Sequence, residues 1–422
     1  MGRLLYYTKS VCPVCLAMID AAIVEERDGI YMDKECEKHG SFQTLIWQDS
    51  GENYYRWLSC GGIDVERLPR TVEEAEREIK GRSFADEAWV QPSTAALMTT
   101  NRCNSNCPVC FTRDRNEPLH EPSLEQCKDL IINYKNKAGE NALLELCGGE
   151  PTLREDIFTI AKFASGSGFD YIQLNTNGIE LAKGSEYCAR LKANGITTVY
   201  LGFDGVTEKP YLKKYGREML DIKKSALENC KKGGLAVVLV TCIIPQTNDN
   251  ELGDIIAFAK ANMPTVKGVY LQPISYFGHY PQGDMRRITI PEVLRRLEVQ
   301  TGGEIRADDF SPGAYEHPQC SFNGCFLLNK DNRFKSLTRF AQRERSPEGY
   351  KGIRQFIKKT WSPSPVPILT IGGMAFQDAW NIDVLRIMRC SVQIIGRGNK
   401  MIPLCSKYLT SLSGEKIHPG IS

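Results

Sequence analysis

Long apolar runs are missing from this 422-residue chain. The longest, Leu235 to Ile244, is about half of the ~20 residues that a membrane span needs, and the N-terminus lacks the charged-then-apolar pattern of a secretory signal. A cytoplasmic chain without a transmembrane segment is the expectation. An excess of either charge is missing too: 53 basic against 51 acidic residues leave +2, with no long like-charge block. Composition therefore gives no reason to expect a nucleic-acid partner. Cysteine, by contrast, is plentiful at 16. In a long chain with no signal peptide and with C-x2-C groupings, these thiols read as metal ligands rather than as disulfides. A chain this long is expected to divide into two or three domains. The composition shifts suggest a metal-binding head and connector over 1–90, a core over 91–300 and a tail over 301–422.

In the head, Cys12-Pro-Val-Cys15 is followed by Cys36-Glu-Lys-His39-Gly40. Two knuckles, each presenting two ligands, suit one tetrahedral ion, so zinc is expected at Cys12, Cys15, Cys36 and His39. The alternative is a rubredoxin-like iron, which the same ligands hold. Residues 30–32 and 42–47 suit short strands on either side of the second knuckle. Cys60, before Gly61-Gly62, reads as a turn residue. The charged stretch 71–82 reads as an exposed helix or connector that closes the head.

From Thr94 the pattern becomes alternating strand and helix. A short apolar strand at 95–99 delivers the loop Asn101 to Thr112, in which Cys103, Cys107 and Cys110 form a C-x3-C-x2-C cluster. Thiolates ligate soft metals and Fe–S clusters, and a [4Fe–4S] cluster held by three leaves one iron open. A zinc loop short of its fourth ligand is the bland alternative. Ser123 and Gln126 form a capping box, after which Cys127 falls on the apolar face of a helix and reads as core. Further strands are expected at 142–146, 171–175, 197–203, 236–244 and 268–274. Six βα units in a row argue for an α/β fold, a parallel sheet curling into a partial (β/α)6 barrel. Polar residues collect just after the strands, on the face where such barrels do chemistry.

The cysteine loop, the turn Cys147-Gly148-Gly149-Glu150-Pro151 and the six repeats together resemble the radical SAM superfamily from about Thr94 to Gln300. Phe111 matches the aromatic that this family carries after its last cysteine. The resemblance implies that S-adenosylmethionine chelates the open iron of the [4Fe–4S] cluster. Reductive cleavage then yields a 5′-deoxyadenosyl radical that abstracts hydrogen from an unactivated C–H bond, with an electron donor such as flavodoxin or ferredoxin. It also implies that Gly148 and Gly149 let backbone approach the cofactor, that Glu150 accepts a hydrogen bond from its ammonium, and that Asn175, Asn177 and Asp204 contact its carboxylate or ribose. For these last three a turn or helix-cap role is the plain alternative.

In the tail, Cys320, Cys325, Cys390 and Cys405 make a complete thiolate set for an auxiliary [4Fe–4S] cluster. Cys325 is the weakest member, since Phe326-Leu327-Leu328 can continue a strand around it. His317 reads as a turn residue or a donor to a ligand. Head, core and tail together resemble the radical SAM group that contains the archaeal tetraether lipid synthase and proteins labelled pterin methyltransferases. That resemblance implies C–C bond formation or methylation of a lipid or other small apolar substrate. A peptide maturase is the second expectation, and a non-catalytic iron–sulfur or zinc sensor the third.

Overall fold

The computed structural model describes residues 2–83, 85, 87–112, 118–280, 285–313, 315–338, 348–396, 398 and 400–418. Its first unit is a four-stranded antiparallel meander, β1 (Arg3–Val11), β2 (Met18–Glu26), β3 (Gly29–Cys36) and β4 (Gly40–Trp47). The two knuckles are its hairpin turns: Cys12 and Cys15 lie between β1 and β2, while Cys36 ends β3 just before the turn into β4. Helix α1 (Gly51–Cys60) follows, with Cys60 closing the helix, and then α2 (Val72–Ile79), capped by Thr71.

The core strands are β5 (Thr94–Thr100), β6 (Leu144–Gly148), β7 (Ile172–Thr176), β8 (Thr198–Gly202), β9 (Ala236–Ile243) and β10 (Val266–Pro273). They pair in parallel in sequence order. Among the helices between them are α3 (Leu124–Ala138), α4 (Ile157–Gly166), α5 (Ser185–Ala193), α6 (Lys209–Tyr215), α7 (Leu220–Lys232) and α8 (Leu252–Ala261), followed by α9 (Ile290–Gln300). The Ser123–Gln126 capping box starts α3, and Cys127 is fully buried on it. Alternation along the strands is sharp. Leu144, Leu146, Leu174, Val199, Leu201, Leu239, Val269 and Leu271 point outward beneath the helices and are buried to 1% or less, which supplies the apolar area that drives the fold.

The tail differs from the expectation of a separate unit. Its strands β11 (Ser311–Pro312), β12 (Ser321–Leu328) and β14 (Ile368–Met374) extend the core sheet beyond β10, with β13 (Phe334–Ser336) on β12. At the other edge β15 (Val392–Ile395) joins β5 in parallel, with β16 (Met401–Pro403) outside it. Among the described residues the result is one 12-stranded sheet. Its two edges approach each other: the Ser93 hydroxyl, before β5, lies within hydrogen-bond reach of Glu316, before β12, and of the Ser391 carbonyl, before β15, and can donate to either. The sheet therefore curls around an interior. Helix α10 (Gly349–Trp361) closes one end, where the Trp361 carbonyl accepts from Thr198 of β8 and its indole N–H donates to Thr370 of β14. The short helices α11 (Val384–Met388) and α12 (Leu404–Lys407) pack near the opposite mouth, and the head docks on the tail. At that seam the buried Lys34 ammonium donates to the carbonyls of Val11 and Ala379, and Thr8 donates to Asp383.

Candidate active site and metal centres

The four expected head ligands converge. The Cys12, Cys15, Cys36 and His39 donor atoms lie within 4.8 Å of one another, and among the described residues they are the one group spaced for a single ion. Two hairpin turns bring them together, and His39 Nδ1 sits 3.5 Å from both Cys12 Sγ and Cys36 Sγ. Three thiols and an imidazole suit zinc or another thiophilic ion.

The three loop thiols line one cavity of about 210 Å³ at the mouth of the curled sheet. Their loop is pinned at both ends. Gly149 and Glu150 donate backbone N–H groups to the carbonyls of Thr100 and Arg102, and Cys110 exchanges two backbone hydrogen bonds with His279. Burial pushes the Cys107 thiol up to about 12; Lys214 opposes the rise, while Cys110 and Cys103 add to it. Thiols that disfavour one another's ionisation are the donor set that a cationic cluster stabilises, so these residues fit a [4Fe–4S] cluster. Phe111 also lines the cavity, its ring edge-on to Tyr408 at 5.1 Å and to Phe277 at 6.0 Å.

The glycine–glutamate turn works differently from the expectation. Gly148 has φ +144°, and a Cβ there would lie 2.1 Å from the Thr100 carbonyl. At Gly149 a Cβ would lie 2.4 Å from the Arg102 carbonyl. These glycines are demanded by contact between the turn and the cysteine loop. Glu150 is fully buried and lies away from the cavity. Its Oε1 accepts from Thr152 N–H, Thr152 Oγ1 and Thr176 Oγ1, and its Oε2 from Asn177 N–H. The carboxylate expected to meet the cofactor's ammonium is thus filled by the chain's own donors, and it ties the ends of β6 and β7 together. Asn177 does line the cavity, 2.8 Å from Asn104 in the loop. Asn175 instead points into the barrel, donating to Glu145. Asp204 is buried behind the cavity wall, where it accepts from Lys214, Tyr215 and the Cys242 N–H.

Several cavity residues escaped the sequence reading: Lys214, Tyr215, Cys242, Gln272 and Ser275. Burial pulls the Lys214 ammonium down, but Asp204 at 2.7 Å outweighs it and holds the group above its ordinary range. Its signal was a lysine pair shortly after a strand ending in aspartate. Gln272 could have been found as a polar residue inside an otherwise apolar parallel strand.

In the tail, Cys320, Cys390 and Cys405 line one small cavity of about 20 Å³ with Glu316, His317 and Arg386, where the two sheet edges meet. Burial pushes Cys390 up to about 12, with Cys320 next in effect. Arg386 donates to Cys320 Sγ at 2.9 Å, and its buried Nε has no hydrogen-bond partner among the described residues. Cys325 is absent from this group. It lies in mid-β12, its N–H bonded to Thr338 and its side chain packed, because the strand continues through Phe326 as its apolar sequence allows.

The fold, the three-thiol loop and the metal-binding head define a radical SAM enzyme. The Radical SAM superfamily profile matches residues 97–259, and the HMPTM N-terminal zinc ribbon domain matches residues 4–48. The chain belongs to the same family as the 7,8-dihydro-6-hydroxymethylpterin dimethyltransferase of Methanocaldococcus jannaschii, to which it is 32% identical over 94% of its own length and 92% of that protein's. Shorter likenesses reach the mycofactocin maturase MftC of Mycolicibacterium smegmatis, 25% identical over 50% of each chain, and the GTP 3′,8-cyclase of Clostridium perfringens, 28% identical over 42% of this chain and 55% of that one. Among solved structures, native anSMEcpe with bound AdoMet superposes over 75% of this chain and 94% of its own at 14% identity and a TM-score of 0.40, too loose to inform substrate or mechanism. No described helix is long and apolar enough to cross a membrane.

Proposed function

We propose that this radical SAM enzyme functionalises a C–H bond of a hydrogen-bonding heterocycle of the pterin class. The observation that carries the reading is that Gly202, Cys242 and Gln272 of the three-thiol cavity lie on the inward faces of strands whose next inward positions include the polar Asn175, Tyr200 and Tyr270. The named relative in the same family, covering nearly the whole chain, supports the substrate class. In this reading Cys103, Cys107 and Cys110 would hold the [4Fe–4S] cluster, with Gly149, Asn177 and Lys214 beside the cofactor's amino-acid portion. Bound there, cluster and S-adenosylmethionine supply the 5′-deoxyadenosyl radical. The chain's own residues do the placing. Asp204 and Tyr215 fix Lys214, and Glu150 fixes the backbone of Asn177. Phe111, Phe277 and Tyr408 pack ring against ring into an aromatic wall beside the cluster loop.

The tail thiols would hold an auxiliary cluster through Cys320, Cys390 and Cys405, with Glu316 or His317 in place of a fourth cysteine. The donor chemistry fits, and the small cavity requires the Arg386 guanidinium to withdraw from Cys320 when the cluster loads. This site adjoins the interior: the Tyr270 phenol is pushed well up by burial, and then by Glu316, Glu145 and Cys320. The head ion, through Cys12, Cys15, Cys36 and His39, would be structural. Reduction by a flavodoxin or ferredoxin belongs to the same reading, as does a head bounded at about residue 90, while the segment after about residue 300 completes the core sheet.

A lipid or other apolar substrate is the second reading, favoured by Val109, Phe376 and Leu404 at the cavity mouth. The two separate in one experiment on anaerobically reconstituted enzyme with S-adenosylmethionine and dithionite. Deuterated 7,8-dihydro-6-hydroxymethylpterin is expected to raise 5′-deoxyadenosine formation and to pass deuterium into it. Stimulation by a deuterated phospholipid alone would overturn the pterin reading.

A further inference from the structure

Glu145 is a carboxylate in the middle of the barrel that nothing in the cofactor site uses. Its strand neighbours Leu144 and Leu146 face outward and are fully buried, so Glu145 faces inward with Asn175, Tyr200, Tyr270 and Gln272. These five side chains keep partial exposure, whereas Gln173, Thr198 and Val238 on the same inward faces are buried, so the interior is packed toward Trp361 but leaves accessible surface on Glu145 and its four neighbours. The Tyr200 and Tyr270 rings stand 5.7 Å apart over Trp361, which forms the floor. Thr94 donates to one Glu145 oxygen at 2.6 Å and Asn175 to the other at 3.2 Å. No cation pairs with Glu145 among the described residues, and burial raises its pKa.

A buried carboxylate without a counter-charge is costly, and it persists where something compensates it. Each Glu145 oxygen has taken one donor and retains acceptor capacity. The geometry points to Glu145 as the anchor of the substrate, receiving two N–H groups from the amino-pyrimidine edge of a planar heterocycle while Tyr200 and Tyr270 together wall one side of it. Glu145 precedes Gly149, which lines the cluster cavity, by four residues, about 13 Å along the strand. A bicyclic ring held at Glu145 therefore extends its far edge toward the radical-generating end. The pairing is selective, because a carbonyl in place of the 2-amino group would set oxygen against carboxylate.

This inference rests on the pterin reading, and the test separates the two. Equilibrium dialysis of the reconstituted enzyme with S-adenosylmethionine uses 6-hydroxymethylpterin and its 2-oxo counterpart, 6-hydroxymethyllumazine, as probes. Wild-type enzyme is expected to bind the pterin at least ~tenfold more tightly than the lumazine, and Glu145→Gln to lose about tenfold or more in pterin affinity together with that preference. Wild-type binding without preference, or a folded Glu145→Gln protein that retains both affinity and preference, would overturn the anchor and leave the pterin reading standing. Absence of wild-type binding to either pteridine would remove both. The wild-type preference needs no variant, so it decides the anchor even where the substitution prevents folding.

Discussion

Replacing Glu150 by Gln separates a structural from a cofactor-binding role for the glycine–glutamate turn. The carboxylate accepts three hydrogen bonds on Oε1 and one on Oε2, two of them from backbone N–H groups. An amide offers one acceptor and one donor end. With its oxygen toward the three donors, its NH2 faces the Asn177 N–H, and the flipped amide is worse. One charged hydrogen bond, about 1.5–3 kcal/mol, is lost, and a buried donor is left unmet, so a net cost of roughly 2–4 kcal/mol is expected. The burial that raises the Glu150 pKa offsets part of this, since the amide carries no charge to desolvate. Denaturant unfolding of the metal-free protein should show the loss as a lower midpoint at unchanged slope. Weaker S-adenosylmethionine binding should follow only through displaced Asn177. A Glu150→Gln protein within about 0.5 kcal/mol of wild type that had nevertheless lost cofactor binding would refute the structural role and restore direct contact with the ammonium.

Cys325→Ala should leave the iron content unchanged and cost about 1 kcal/mol as a small buried deletion, whereas Cys390→Ala should remove the iron of the auxiliary site; iron and sulfide counting checks both. Cys36→Ala should lose one ion by elemental analysis and lower the melting temperature, since metal-linked folding energy in small zinc modules is on the order of 10 kcal/mol. Lys223 is fully buried and lowered to about 8 by that burial, and it donates to the Asn177 carbonyl. Between there and the ordinary value of 10.5 the unfolded chain binds the proton more tightly than the folded one, so this group makes stability rise with pH across that window. Melting temperatures of wild type and Lys223→Met at several pH values should show a shallower rise in the variant.

The elements carrying chemistry were legible because thiol spacing and glycine turns are local signals. The knuckles at Cys12 and Cys36, the loop at Cys103 to Cys110 and the capping box at Ser123 depend on few long-range contacts. What escaped depends on the closure of the sheet. Cys320 and Cys390 belong to opposite edges, and only the curl brings them together, so counting cysteines in the tail admitted Cys325 as well. At Glu150 the motif names a residue without saying which of its oxygens the neighbours already occupy. The polar interior did leave a trace. Glu145, Asn175 and Gln272 interrupt strands that a parallel sheet covered on both faces would keep apolar, and Glu145 sits between Leu144 and Leu146 in plain alternation.

The central claim is that the Cys103–Cys110 loop generates a radical that is delivered into the barrel, and deuterium transfer tests it most directly. Wild-type enzyme with S-adenosylmethionine, reductant and deuterated 7,8-dihydro-6-hydroxymethylpterin is expected to give deuterium-labelled 5′-deoxyadenosine, and Cys107→Ala none at all. Wild-type turnover in Cys107→Ala would contradict the account at its root.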